Sequence, residues 1–192
     1  MNFKFNINLT KQDYIDFNIF TALKIPQGRQ QAKGMRKTVT VIYCVAIILM
    51  LAGGIFVQML TEKFVSGIIL YILTALLIGG LIHYHLHFEE SMARSLTKYV
   101  ERTLEQGRAP YSAVSVVEFT DDGIMETDEN SRTVLKYSII EGIGVDTGAI
   151  YLHFDAVRAI ILPFSCFESV EQREAFITYI EGKCPNINRY SE

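Results

Sequence analysis

The chain has 192 residues, of which 49 % are hydrophobic, and a formal charge of −3. A chain of this length accommodates one folded unit of about 100 residues and a smaller part. The charge is divided unevenly, because residues 1–109 carry 12 basic and 7 acidic residues whereas residues 110–192 carry 6 basic and 14 acidic residues. We therefore expect no nucleic-acid partner, since phosphate backbones are recognised by clustered Lys and Arg side chains.

The N-terminal segment, residues 1–37, is predicted to contain a strand, a short helix and a basic linker. Apolar residues alternate with polar ones at its start, the period of a half-buried strand: Phe3, Phe5, Ile7 and Leu9. Thr10 and Asp13 are typical of a helix start close to a capping box. We expect that helix to end before Pro26 and to rest on a membrane surface. Residues 27–37 contain two glycines and several basic residues, which favours a linker.

The central segment, residues 38–88, is predicted to be a transmembrane hairpin. Two stretches without Asp, Glu, Lys or Arg, at about 38–61 and 64–86, each exceed the roughly 20 residues that a helix needs to cross a bilayer. The sequence Thr61-Glu62-Lys63 joins them as a tight loop. The first stretch starts too far into the chain for a signal peptide and lacks a small-residue cleavage site. The lipid bilayer is therefore the first expected partner.

The basic residues predict the orientation of this hairpin. Most of them flank its outer ends, before the first span and after the second: Lys24, Arg29, Lys33, Arg36, Lys37, Arg94, Lys98 and Arg102. Basic residues close to membrane spans stay in the cytoplasm. We therefore expect a multi-pass protein of the cell membrane with both termini in the cytoplasm.

The remainder of the chain is predicted to be a juxtamembrane helix, residues 89–109, and an antiparallel sheet domain, residues 110–192. Six short alternating stretches separated by polar turns favour an antiparallel sheet or small barrel. The final helix is expected to begin at a capping box of Ser169 and Gln172. Its predicted buried face consists of Val170, Phe176, Ile177 and Ile180. The fold class expected is an α+β membrane protein with a pleckstrin-homology-like (PH-like) domain at its C-terminus.

Several stretches together resemble the bacterial YcxB-like family of membrane proteins. They are "FKFNINLTKQDYIDFNIF", the helical hairpin, "TDDGI", "LKYSIIEGIGVDTGAIYLHF" and "AIILPFSCF". The resemblance implies two membrane spans followed by a cytoplasmic PH-like domain, and it supplies no catalytic residues. Members often carry basic residues where this chain has Ser165 and Cys166, which argues against an anion site in that loop.

A histidine cluster at the end of the second span is the candidate metal site. On a helix, His83 and His87 share a face that Glu90 joins, whereas His85 points the other way. Two histidines and a carboxylate are ligands that suit zinc. The alternative is that the histidines anchor the helix at the membrane surface together with the aromatic residues around them. No metal or other cofactor is otherwise implied.

A second motif, Asp146-Thr147-Gly148, is similar to the catalytic triplet of aspartic proteases. Those enzymes pair two such aspartates, and too few residues follow this one to complete the enzyme's barrel. The same residues suit a hairpin turn. We therefore predict no enzyme, and instead a membrane-anchored interaction module that binds a protein partner or a second copy of itself. The alternatives are a metal-dependent membrane protein or sensor and a lipid-binding module.

Overall fold

The computed structural model describes residues 2–61, 65–107, 113–128, 131–155 and 158–191. The α-helices in these ranges are α1 (Lys11–Lys24), α2 (Pro26–Thr61), α3 (Val65–Leu86), α4 (Phe88–Glu105) and α5 (Val170–Lys183). The strands in the same ranges are β1 (Phe3–Asn8), β2 (Val114–Phe119), β3 (Ile124–Thr127), β4 (Arg132–Leu135), β5 (Gly142–Val145), β6 (Ala149–His153), β7 (Ala159–Pro163) and β8 (Asn188–Ser191). The chain divides into two compact units. We call Met1–Arg29 with Ser95–Glu192 the sheet unit, and Gln30–Arg94 the hairpin unit.

The sheet unit contains two open four-stranded sheets. The first has the order β1-β2-β3-β4 and is antiparallel throughout. The second has the order β7-β6-β5-β8, and its β5–β8 pair is parallel. The six strands predicted after residue 110 are confirmed as β2 to β7, whereas β8 was not predicted.

Strand β1 joins the N-terminal segment to the strands that follow the hairpin unit. It pairs with β2 in a register that places Phe3 opposite Phe119 and Asn8 opposite Val114. Its alternation is as predicted, since Phe3, Phe5 and Ile7 are buried and the residues between them are exposed. The predicted boundaries separated residues 1–37 from residues 110–192, and the structure instead joins residues 1–29 to residues 95–192.

An aromatic cluster lies at the centre of the sheet unit. The rings of Phe5, Phe119 and Phe176 have centroids 4.8–6.0 Å apart, and none of these side chains is more than 1 % exposed. Residues of both sheets and of α5 share this core. The predicted buried face of α5 is confirmed for Phe176, Ile177 and Ile180. It is wrong for Val170, which is 57 % exposed because it is the first helical residue, directly after the N-cap Ser169.

Helix α1 is held by a cap at its N-terminus and by aromatic contacts along its apolar face. The predicted capping box is present, because the Thr10 side chain accepts a hydrogen bond from the Asp13 N–H and the Asp13 carboxylate accepts one from the Thr10 N–H. We expected this helix to rest on a membrane surface, but its apolar face is instead buried within the sheet unit. Phe17 and Phe20 are buried, and both rings contact Tyr151 of β6, at centroid distances of 5.6 and 4.9 Å.

The linker predicted at residues 27–37 is wrong, because α2 begins at Pro26 and continues through it. Proline suits the first position of a helix, where its missing N–H costs nothing. Gly28 is required at this corner: a Cβ there would lie 2.1 Å from the Thr21 carbonyl oxygen. The glycine that favoured a linker therefore permits the close passage of two helices.

Both predicted spans are confirmed as helices. Helices α2 and α3 are long and apolar enough to cross a membrane, and their apolar windows are only 6 % and 11 % buried. Gly54 permits their close approach, since a Cβ there would lie 2.8 Å from the Tyr71 ring. The Tyr71 hydroxyl donates a hydrogen bond to the Gln58 side-chain oxygen at 3.0 Å. Of the predicted loop, residues 62 and 63 lie outside the described ranges.

Helix α4 corresponds to the juxtamembrane helix predicted at residues 89–109. Helical hydrogen bonding continues across the bend at His87, whose N–H donates to the His83 carbonyl at 3.0 Å. The helix ends at Glu105, and residues 108–109 lie outside the described part of the chain.

Candidate functional site

The three histidines at the end of α3 and directly after it point to different sides, as their spacing predicts. The rings of His83 and His87 lie together, with centroids 4.5 Å apart, and both residues are exposed. His85 instead points toward α2, where it contacts Arg36 and Thr40. The end of the hairpin unit therefore has two separate polar groups of residues.

Glu90 joins the first of these groups through an ion pair. One carboxylate oxygen lies 3.3 Å from the His87 Nδ1, and the other lies 2.6 Å from an Arg94 Nη. The hydrogen bond from Arg94, followed by that from His87, lowers the pKa of Glu90 below its ordinary value. Glu90 is therefore a carboxylate that already has a cationic partner.

The predicted metal set of His83, His87 and Glu90 stays a prediction. The residues that the structure describes include no group of three or more His, Cys, Asp or Glu side chains placed to hold a metal ion. A metal ion bound to Glu90 would compete with Arg94 for the carboxylate. The geometry of the three side chains thus accounts for an ion pair and a ring contact.

The second polar group, which links α2 to α3, is a closed loop of hydrogen bonds. Arg36 donates from Nε to the His85 Nδ1 at 2.9 Å. A guanidinium only donates, so the imidazole Nδ1 accepts and a neutral ring carries its proton on Nε2. That nitrogen lies 3.0 Å from the Thr40 Oγ1, whose own proton is donated to the Arg36 carbonyl at 2.8 Å. Each polar atom of this loop has a partner of the right kind.

A shallow surface groove of about 330 Å³, open over most of its extent, lies beside this loop. It is lined by Lys33, Arg36, Lys37, Thr40, Val41 and His85. The Arg36 guanidinium also lies over the Phe88 ring, 5.6 Å from its centroid, and donates to the His85 carbonyl at 3.3 Å. These contacts hold the guanidinium in one orientation, whereas Lys33 and Lys37 extend as exposed side chains. We call these six residues the basic cavity.

The sequence carries only part of the signal for the basic cavity. Lys33, Arg36 and Lys37 recur at the i, i+3 and i+4 positions that share one helix face. On sequence alone they indicate flanking charges that orient the hairpin. No sequence pattern links them to His85, which lies 49 residues after Arg36.

The motif at residues 146–148 is a hairpin turn, as predicted. It connects β5 to β6, and the Asp146 N–H donates to the Ala149 carbonyl at 3.1 Å. The Asp146 carboxylate accepts a hydrogen bond from the Thr147 N–H at 2.8 Å. The carboxylate therefore stabilises its own turn.

A buried histidine in the sheet unit escaped prediction. His153, at the end of β6, is 2 % exposed, and its ring is stacked on Phe17 at 5.8 Å and lies edge-on to Tyr190 at 5.9 Å. Within the described ranges, neither ring nitrogen meets the geometry of a full hydrogen bond, although the backbone of Asp155 lies close enough to interact with the ring. Burial lowers the pKa of His153 to about 4, and the neighbouring Asp155 opposes this shift. The ring is therefore neutral and belongs to the aromatic packing.

Comparison with known families bears on the C-terminal part of the chain. Residues 119–180 match the model of the YcxB-like protein family. The resemblance noted from the sequence is thus confirmed for this YcxB-like region, which runs from the end of β2 into α5. The histidine cluster and the basic cavity lie outside it. No curated protein and no solved structure matched the chain.

Proposed function

We propose that the chain is a non-enzymatic membrane protein whose two apolar helices anchor the sheet unit at the cytoplasmic face. One observation carries the anchoring: the large apolar side chains of α2 and α3 are exposed. Ile48, Leu49 and Met59 of α2 are 62 %, 67 % and 76 % exposed, and Ile69 of α3 is 69 % exposed. Each such side chain gains about 1.5–3 kcal/mol when it leaves water, and a lipid environment supplies that gain.

The distribution of charge supports the proposed orientation. The basic residues Lys33, Arg36 and Lys37 precede the apolar part of α2, and Arg94 follows α3. Basic residues at span ends favour the cytoplasmic side, and two spans return the chain to the side from which it started. In this proposal both termini, and the sheet unit with them, are cytoplasmic.

Cysteine labelling in intact cells tests this orientation. Asn2 and Asn186 are exposed positions near the two ends of the sheet unit, so Asn2→Cys and Asn186→Cys each place a thiol where a reagent can reach it. A membrane-impermeant thiol reagent should label both variants only after the cells are opened. The unchanged chain is the control for its own three cysteines. Labelling of either introduced cysteine in intact cells would contradict the proposed orientation.

In this proposal the sheet unit is a PH-like module that binds a protein partner. Strand β4 is an edge of the first sheet, and Val134 at its centre is 71 % exposed. An edge strand presents unpaired backbone groups to which an extended segment of a partner can add. The acidic balance of residues 110–192 disfavours binding to an anionic membrane surface.

Site-specific photo-crosslinking tests this role. A photoreactive side chain at position 134, in the full chain in its native membrane, should give a discrete adduct. The matched control is position 170 on α5, which is 57 % exposed and lies outside the sheet edges. An adduct of twice the mass of the chain identifies a second copy as the partner. Equal adducts from both positions, or none from position 134, would overturn the proposal.

The metal-dependent alternative depends on one observation, the close approach of the His83 and His87 rings. Elemental analysis of the purified chain tests it directly. A metal ion in stoichiometric amount that is lost in His87→Ala and kept in His85→Ala would establish a metal centre. If protein purified without chelators contains no metal ion, the metal-dependent alternative is wrong and Glu90 serves only in its ion pair.

A further inference from the structure

We infer that the basic cavity binds the phosphate of an anionic phospholipid. The inference rests on the proposed insertion of the hairpin, and it goes beyond anchoring because it assigns a specific head-group site. The chemistry recognised is a phosphate oxyanion, which in this setting is supplied either by a lipid or by free phosphate in solution. Two features of the cavity suit a phosphate from either source, and a third decides for the lipid.

The first feature is a cluster of positive charges that is not paired with carboxylates. Lys33, Arg36 and Lys37 lie on one face of α2, within little more than one turn. Among the residues that the structure describes, no carboxylate lies within 4.0 Å of any of these three side chains. Like charges at these spacings repel each other. An anion bound among them would remove that repulsion.

The second feature is a fixed guanidinium. Arg36 is held by the Nδ1 and the carbonyl of His85 and by the face of Phe88, and its Nη1 takes part in none of the hydrogen bonds within the described ranges. A planar guanidinium that is held in place matches the two oxygens of a phosphate without further ordering. His85 and Thr40 are thus positioning residues, because they act through Arg36.

The third feature is the apolar wall that adjoins the charges. Val41 lines the cavity, and it lies one helical turn after Lys37 and one turn before Val45. Val41 and Val45 are 53 % and 50 % exposed, so the apolar face of α2 continues directly from the cavity. A phospholipid with its phosphate on the basic side chains would lay its acyl chains along this face. Free phosphate has no acyl chains and would make no contact with this apolar face.

Lipid titration of the purified full-length chain tests the inference. The chain, in a neutral detergent, is titrated with phosphatidylglycerol, phosphatidylcholine and inorganic phosphate, and bound ligand is counted by native mass spectrometry. We expect phosphatidylglycerol to bind, and its apparent affinity to fall at least about tenfold in Lys33→Gln/Lys37→Gln. The charge-matched control Lys98→Gln/Arg102→Gln should bind as the unchanged chain does. The conservative variant Lys33→Arg/Lys37→Arg should also keep the affinity, which separates loss of charge from loss of fold.

The other outcomes overturn the inference in distinguishable ways. If inorganic phosphate binds with the same dependence on Lys33 and Lys37, the lipid is the wrong source. If all variants bind phosphatidylglycerol equally, or if phosphatidylcholine binds as well as phosphatidylglycerol, the cavity is not a head-group site. Membrane retention of the same variants, measured separately, reports on anchoring. If the Lys33→Gln/Lys37→Gln variant stays in the membrane and keeps its affinity for phosphatidylglycerol, the head-group site is contradicted, whereas the proposed membrane anchoring is not.

Discussion

The two units of the molecule use apolar residues in opposite ways. In the sheet unit, Phe5, Phe119 and Phe176 are at most 1 % exposed and pack against one another. In the hairpin unit, Ile48 and Leu76 are 62 % and 66 % exposed. The hydrophobic effect therefore stabilises a buried core in the sheet unit, whereas in the hairpin unit it favours covering the exposed apolar surface. The contrast makes different predictions for substitutions of similar chemistry in the two units.

The largest effect is expected from Phe176→Ala in the core of the sheet unit. The ring has four aromatic neighbours, so its loss should cost about 3–5 kcal/mol of the free energy of unfolding. Denaturant unfolding of the full chain in mild detergent, followed by near-ultraviolet circular dichroism, measures this cost. Ile48→Ala in α2 is the control and should leave that transition unchanged. Similar losses in both variants would break the contrast between the units.

A charge in the middle of α2 should have the next largest effect. In the lipid interior, Ile48→Lys should make insertion less favourable by about 3 kcal/mol. An insertion assay with a glycosylation reporter placed after the first span measures the change. The control is Val134→Lys on β4, which is more exposed than Ile48 but lies in the sheet unit. Unchanged insertion of Ile48→Lys would mean that this side chain faces water.

Acidification should weaken the sheet unit through His153. Its pKa is lowered to about 4 in the folded chain, against an ordinary value of 6.5, so the unfolded chain binds the proton more strongly. Stability is therefore lost as the pH falls from 6.5 toward 4, by about 2 kcal/mol between pH 7 and pH 5.

Unfolding of the sheet unit at a series of pH values should show this loss in the unchanged chain. His153→Phe replaces the ring by one that does not titrate and should flatten the curve over the same interval. Curves of equal slope for the two chains would show that His153 is not the group responsible.

The smallest effect is expected at the start of α1. Thr10→Ala removes the acceptor of the Asp13 N–H and should destabilise the sheet unit by about 1 kcal/mol. Thermal unfolding measures the change, and Thr38→Ala is the control, because its hydroxyl only bonds to a carbonyl within α2. Equal shifts for the two variants would argue against a role of the cap in the sheet unit.

Local patterns predicted most of the elements, because each was carried by neighbouring residues. The alternation of Phe3, Phe5 and Ile7, the cap at Thr10 and the two apolar runs each gave the correct element. Pairings between distant residues were not predicted. Strand β1 pairs with β2, which follows it only after the whole hairpin unit, and the parallel pair of Gly142 with Asn188 required knowledge of the whole fold.

The candidate site shows the same limit. The face shared by His83 and His87 followed from helical spacing alone. The contact of His85 with Arg36 depends on the packing of α2 against α3, which no local pattern encodes. Gly28 misled the prediction for a related reason, since its role is defined by the Thr21 carbonyl of the preceding helix.

Membrane partition under alkaline extraction tests the central claim, that the hairpin unit anchors a separately folded sheet unit. The measurement compares the full chain with a chain in which a Gly/Ser linker replaces residues 30–94. The full chain should stay in the membrane pellet, and the shortened chain should appear in the soluble fraction with a cooperative unfolding transition. Release of the full chain by alkali, or aggregation of the shortened chain, would contradict the account.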